Sequence, residues 1–457
     1  MVSAAPNVPA LTLAGLTFAD LFQHEGLQRL DTAFLRRVQV LDANLHTRLL
    51  HYRHAQSPFT PLQVSDLLLA CAPLLETFIA ELFAIEAALE QLQAQTLAHD
   101  PVMHFKKLFV LRRARRRLIK KDVTESFAEL DAWLNLALQS FEPDEIDREL
   151  AIARFGQDLL RDAEAHSASI EQLTRWCILA LSEPSGQAAV RGWVSFKLPQ
   201  GMDFQYLVAH QGLSSEAGGR IAALPEKLRR RDGFKLTDTR MSARAVQGEV
   251  HYCIYCHDHD GDFCSKGFPE KKGEPDLGLK TNPLGVTLTG CPLEEKISEM
   301  HALKRDGHSV AALAMAMVDN PMVPATGHRI CNDCMKACIY QKQDPVDIPQ
   351  IETRVLTDVL GLPWGVEIYD LLTRWNPLRA RQYLPKPYNG KKVLIAGMGP
   401  AGFTLAHHLT MEGCAVVGID GLKIEPLPDA LMHGAIRDYA DLEEQLDTRI
   451  MTRAATL

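Results

Sequence analysis

Seven of the chain's ten cysteines lie between His251 and Glu352: Cys253, Cys256, Cys264, Cys291, Cys331, Cys334 and Cys338. Their spacing is C-x2-C-x7-C, then a solitary Cys291-Pro292, then C-x2-C-x3-C. Thiols at this density on short loops form disulfides, bind zinc ions or hold iron–sulfur clusters. Each of these ties distant segments to one point, so the fold of this region depends on which chemistry holds.

Disulfides fit poorly. The chain opens MVSAAPNVPALTLAG, without a charged segment, apolar core and cleavage site to direct it to an oxidising compartment, and a cytoplasmic setting is expected. Zinc requires four donors, which Cys253, Cys256 and Cys264 with His257 or His259 would supply, and Cys331, Cys334 and Cys338 with His328 would form a second set. Iron–sulfur chemistry is favoured by two features. A Cys-Pro pair standing apart from a compact C-x2-C-x3-C is similar to ferredoxin ligation, where separate runs share clusters. A dinucleotide-binding pattern also follows at Gly397, giving clusters an electron partner. Zinc stays open on the residues alone.

That later pattern is Val393-Leu394-Ile395-Ala396, then Gly397-Met398-Gly399-Pro400-Ala401-Gly402, a helical stretch to Met411, and a second apolar run from Ala415 to Ile419 ending at Asp420. The order strand, glycine turn, helix, strand is the context a GxGxxG motif needs. Gly397 permits the tight turn, Gly399 admits a pyrophosphate to the backbone, and Gly402 lets the helix pack closely. Phosphate would sit on the helix amino terminus, beside Pro400 and Ala401, and Asp420 would accept hydrogen bonds from a ribose.

The remainder reads mainly as helix. Leu30, Phe34, Val38, Leu41, Leu45 and Leu49 recur at helical steps, and an apolar segment runs from Val64 to Leu92, expected to pair antiparallel with the first. Asp66, Glu76, Glu81 and Glu86 interrupt it, which argues for a buried helix rather than a membrane span. Cys71 and Cys177 read as small core residues. Between Lys106 and Lys121 lie nine cations threaded with apolar residues. They form either a dock for an acidic protein, membrane or RNA, or a helix whose basic face meets Asp122, Glu125, Glu129 and Asp131. Helix continues over 123–182 to a breaker at Ser182–Gly186, and the alternation between Gly192 and Leu213 predicts one or two short strands. A net charge of -8 argues against a nucleic-acid protein. The stretch 363–387, rich in Trp, Pro and Arg, reads as a packed connector, with Trp364 and Trp375 burying apolar surface.

The run from Gly290 to Glu352 is similar to the iron–sulfur domain of the glutamate synthase small subunit, shared with the amino-terminal part of dihydropyrimidine dehydrogenase. The matching pieces are Gly290-Cys291-Pro292, Ile297-Ser298-Glu299-Met300 with Gly307, Asn320-Pro321, Thr326-Gly327-His328-Arg329-Ile330-Cys331, Val346 to Glu352, and Lys392 to Gly402. The resemblance implies two four-iron clusters with interleaved ligands: Cys253, Cys256, Cys264 and Cys338 on one, and Cys291, Cys331 and Cys334 on the other. Glu352 stands where the family has a non-cysteine ligand; its other reading is a solvated carboxylate at a helix start. The chain departs from the family in the longer Cys256–Cys264 spacing, the closer Cys331–Cys334 spacing and an insert between Cys264 and Cys291. The resemblance also implies FAD at the Gly397 turn and NAD(P)H as its reductant.

The expected organisation is therefore a helical domain over 1–240, an α-helical double-cluster domain and connector over 241–385, and the incomplete βαβ start of a Rossmann-like domain over 386–457. Residues for the flavin ring and an NAD(P)H domain are not in the sequence. A fragment, or completion by another chain, is expected, with weak or no flavin binding alone. The expected role is electron relay from NAD(P)H through flavin and clusters to an unidentified acceptor protein or domain. The rival from another class is a zinc-stapled interaction protein with a basic docking helix.

Overall fold

The computed structural model describes residues 8–442 except 14, 56–57, 119–122, 143–144, 209, 213–220, 226–227, 229–238, 260, 328–329, 382 and 422–434. It is mainly helical, with two small two-stranded sheets. The first helix, His24–Leu41, buries Leu27, Leu30, Phe34 and Val38 at the expected spacing. Leu45 and Leu49 belong to a second helix, Ala43–Arg53, because Asp42 is extended and its carboxylate takes the Leu45 N–H at 2.9 Å. The next helix, Pro61–Phe83, begins with a reciprocal Thr60–Gln63 capping box and stops at Ala84, whose φ of 54° is left-handed. The expected segment to Leu92 is thus broken, and Glu86–Leu97 forms its own helix. Phe34 and Phe78 join the first helix to Pro61–Phe83 edge-on at 5.5 Å. Among the described residues no helix is long and apolar enough to cross a membrane.

Buried side chains fall into two cores. One joins Leu16–Leu89 to Val246–Leu378, with Trp375 set between Phe34 and Phe78 at 6.0 and 6.1 Å. The Trp375 indole donates to Asp31 at 2.9 Å, and Asp31 also pairs with the buried Arg53. Trp375 therefore has the packing role expected of it. The second core, Val102–Val194, surrounds Trp176. The apolar division consequently does not follow the boundary expected near residue 240: the first helices share a core with the cysteine region.

Cys71 and Cys177 are fully buried, one in each core. Burial pushes the Cys71 thiol up to about 12 and the Cys177 thiol well above its ordinary range. Trp193 and Phe196 do not alternate in a strand; both turn onto Trp176, at 6.3 and 5.7 Å. One strand does fall within the expected stretch, β1 (His210–Gly212), and pairs antiparallel to β2 (Ile221–Ala223) beyond it. Near the end, β3 (Lys392–Ala396) runs parallel to β4 (Ala415–Ile419) through the helix Pro400–Met411, the βαβ unit expected of the glycine motif.

Candidate functional site

The first thiol set is assembled from three places in the chain. Helix Ala243–Tyr252 is capped by the Ser242 hydroxyl and delivers Cys253 at its end. Tyr255 then adopts a left-handed φ of 54°, donates its N–H to the Cys253 sulfur at 3.4 Å and its hydroxyl to the Val250 carbonyl at 2.7 Å. This fold-back presents Cys256 on a short 3-10 turn, and Cys264 follows on Phe263–Lys266. Cys338 comes from the later run. The Tyr252 and Tyr340 rings stack at 4.3 Å, and the Tyr340 hydroxyl donates to the Tyr252 carbonyl, clamping the two runs together. Burial pushes the Cys253 thiol up to about 12, with Cys256 and Cys338 adding to it. Cys256 rises to about 11 through burial, then Cys338 and Asp262. Cys264 is raised well above its ordinary range by burial, then by Asp262, Cys253, Cys256 and Cys338. These four sulfurs lie within one another's electrostatic reach.

The second set is equally discontinuous. Cys291 is tied to the first set through its N–H, which donates to the Cys264 carbonyl at 2.8 Å. Gly290 before it has φ 75°, and a Cβ there would meet the Gly267 nitrogen at 2.4 Å, so only glycine permits this crossing. Burial pushes the Cys291 thiol up to about 11, assisted by Glu295 and Glu352. Cys334 is raised well above its ordinary range by burial, then by Cys291, Glu352, Glu295 and Cys331. Cys331 is exposed, and its sulfur accepts the Asp333 N–H at 3.4 Å.

Glu352 is not a solvated carboxylate. It accepts from the Thr326 hydroxyl at 3.2 Å and the Asn320 amide at 3.4 Å, and burial, then Glu295, raises it well above the carboxylate range. Glu295 is the residue sequence reasoning missed. It is 4% exposed, hydrogen-bonded by Asn320 and pushed up to about 7 by burial. Its neighbour Glu294 sits at φ 52°, a left-handed kink after Cys291-Pro292 that reverses the chain here. Two consecutive acids shortly after Cys-Pro are the only trace of this in the sequence.

Among the described residues, no three His, Cys, Asp or Glu side chains are gathered closely enough to hold a metal ion. Both ring nitrogens of the nearby His257 are engaged, Nδ1 with the Ser298 hydroxyl and Nε2 with Asp258 at 3.2 Å. His259 is exposed, and His328 lies outside the described residues. The cysteines couple electrostatically in two groups without closing on a single ion; a four-iron core would take soft sulfur ligands around a larger perimeter than a single ion does. Burial raises all seven thiols, and at Cys253, Cys256, Cys264 and Cys334 neighbouring cysteines add to it; a bound cationic centre would favour the thiolates instead.

At the glycine turn, Gly397 has φ 99° and its N–H donates to the Ile419 carbonyl at 2.7 Å. A Cβ on Gly402 would lie 2.0 Å from the Gly397 carbonyl oxygen, so glycine is required where the helix doubles back on the turn. Around Gly397 and Gly399 a Cβ would meet nothing within 4 Å, leaving an open cradle before the exposed Pro400 and Ala401. Asp420 accepts the Met398 N–H at 2.6 Å and so also closes the turn. The helix Pro400–Met411 packs against Val323–Thr326, whose Thr326 hydroxyl bonds Glu352.

Comparison with known proteins gives partial likenesses. Residues 11–84 match the family model described as the RP005 N-terminal alpha-helical domain. The uncharacterised protein RP006 of Rickettsia prowazekii (strain Madrid E) is 54% identical over 28% of this chain and 18% of its own length. RP005 of the same strain is 28% identical over 61% of this chain and 93% of its own. The glutamate synthase (NADPH) small chain of Bacillus subtilis (strain 168) is 30% identical over 32% of this chain and 26% of its own. That of Mycobacterium tuberculosis (strain ATCC 25618 / H37Rv) is 27% identical over 35% of this chain. The chain thus spans under a fifth of RP006 and less than a third of the glutamate synthase small chains. It is distantly similar, over about a third of its length, to a subunit of an oxidoreductase.

Proposed function

We propose that this chain is the electron-transfer part of a flavin-dependent, NAD(P)H-linked iron–sulfur oxidoreductase. Cys253, Cys256, Cys264 and Cys338 would hold one four-iron cluster. Cys291, Cys331 and Cys334 would hold the other, with Glu352 or Glu295 as the carboxylate donor. The turn Gly397–Gly402 would receive the pyrophosphate of FAD. Bound flavin exchanges electrons in ones or twos and clusters in ones, which lets a two-electron donor feed a one-electron chain. The chain's own residues supply the rest: Asn320 and Thr326 hold the carboxylates, the Tyr252–Tyr340 pair fixes the spacing of Cys253 and Cys338, and Asp420 holds the glycine turn.

What supports this reading is that Cys253, Cys256 and Cys338 act electrostatically on Cys264, while Cys291 and Cys331 act on Cys334, so that cysteines from separate runs couple in two groups. One of them adjoins the segment on which the glycine-turn helix rests. The test is iron and acid-labile sulfide analysis of anaerobically purified protein. Brown protein, bleached by dithionite, is expected, and Cys291→Ser should lower iron content by about half, as should whichever of Glu295→Gln and Glu352→Gln removes a donor. Colourless protein carrying stoichiometric zinc without iron or sulfide would overturn the reading in favour of a zinc-stapled interaction protein.

A further inference from the structure

The basic run is not an ordinary helix. Lys106–Ala114 is π-helical over nine residues, far longer than the single-turn bulge in which i→i+5 bonding normally occurs, often at functional sites. The widening follows from packing. Phe105 and Phe109 stack at 5.2 Å on the inner face, and Gly156 lies so close that a Cβ there would meet their rings at 3.1 and 3.0 Å. With the aromatic pair inside, the cations line the outside: Lys107, Arg112, Arg113, Arg115 and Arg116 reach solvent.

Of the acids that follow in sequence, Asp122 lies outside the described residues and the other three are engaged elsewhere. Glu125 pairs with Arg175, Glu129 caps the next helix at Ser126, and Asp131 holds Arg148 and the Trp176 indole. Arg117 reaches an acid of another helix, Glu171, at 2.8 Å. Among the described residues Lys107, Arg112, Arg115 and Arg116 have no ion-pair partner, and Arg113 meets only the Phe109 ring. The result is a cationic face on a chain of net charge -8, whose field attracts an acidic surface.

We propose that this face docks the acidic surface of a one-electron carrier protein. The choice of an electron carrier rests on the redox reading above. Phe105 and Phe109 are buried, so no ring is available to stack on bases. No large apolar side chain of the run is exposed for insertion into a bilayer, among the described residues. The run also begins beside the first thiol set: Lys106 lines a 200 Å³ cavity with Glu249, Met335 and Tyr252, the residue before Cys253. Electrostatic docking of this kind gives fast, salt-sensitive encounters.

The test uses full-length protein and an acidic plant-type ferredoxin as probe, with binding followed by calorimetry at rising salt. Wild type should bind, weakening steeply with salt. Arg112→Gln, Arg113→Gln, Arg115→Gln and Arg116→Gln combined should weaken binding by about tenfold or more at low salt, with helix content and iron content unchanged. Absence of salt-sensitive binding by wild type, or equal binding by the variant, overturns the proposal. So does tighter binding of poly(U) or phosphatidylserine vesicles with the same sensitivity to the four substitutions. Iron content of the same sample separates the two failures: iron present without docking sinks the dock alone, and docking without iron sinks the redox reading and with it the electron carrier as occupant.

Discussion

Glu76 lies in the middle of the apolar helix Pro61–Phe83, yet only 4% of it is exposed. Its carboxylate accepts from the N–H groups of Val310 and Ala311 at 2.8 and 3.1 Å, capping the helix Ser309–Ala316, and from the His308 ring at 2.8 Å. The hydrogen bond to Glu76 raises the His308 pKa above its ordinary value against the opposing effect of burial, with Asp306 adding to the rise. A folded value above the unfolded one means that protonated His308 stabilises the fold fully below about pH 6.5, and that this share is lost as pH climbs through the folded value. The urea midpoint of wild type should therefore fall from about pH 6 to pH 8 in a step that His308→Gln removes. An unchanged step in the variant would assign the effect elsewhere.

Among the elements, β3–helix–β4 depends on contacts too close for any side chain. Gly402→Ala would place a Cβ 2.0 Å from the Gly397 carbonyl oxygen, and relief requires the turn to open. Local stability should drop by about 1–3 kcal/mol, read as faster amide exchange confined to 392–419, and any ADP affinity should be lost with it. Exchange unaltered in this unit would show that the turn has room to adjust. The glycine pattern made this element readable because its requirement is local. The π-helix was not readable: Phe105, Phe109 and the cations suit an α-helix equally well, and only Gly156, on another helix, makes room for the stacked rings. The two helices that replace one at Asp42 were readable in principle, since an aspartate three residues before Leu45 is an N-cap signal. Of the stretch 192–213 expected to hold one or two strands, only the far end forms one, β1; at its start Trp176 draws the Trp193 and Phe196 rings to one side.

Across the whole chain, Trp375 links the first helices to the cysteine region. It is fully buried between Phe34 and Phe78 and hydrogen-bonded to Asp31. Trp375→Ala should cost about 3–5 kcal/mol. Because Leu16–Leu89 and Val246–Leu378 share one core, the loss should expose both stretches to protease together while Val102–Val194 stays protected. Release of residues 16–89 alone would contradict a shared core.

Features that depend on neighbours along the chain were set by the order of residues alone: helical periodicity, caps, the glycine turn, and the presence of thiols in unusual number. Which segments of the cysteine region meet was decided only in three dimensions: Tyr340 stacks on Tyr252, next to Cys253, and the Cys291 N–H donates to the Cys264 carbonyl. The same holds for the inward turn of Glu295 and for the lack of an ion-pair partner, among the described residues, at Lys107, Arg112, Arg115 and Arg116. Burial and charge pairing are properties of distance in space, and distance along the chain does not encode them.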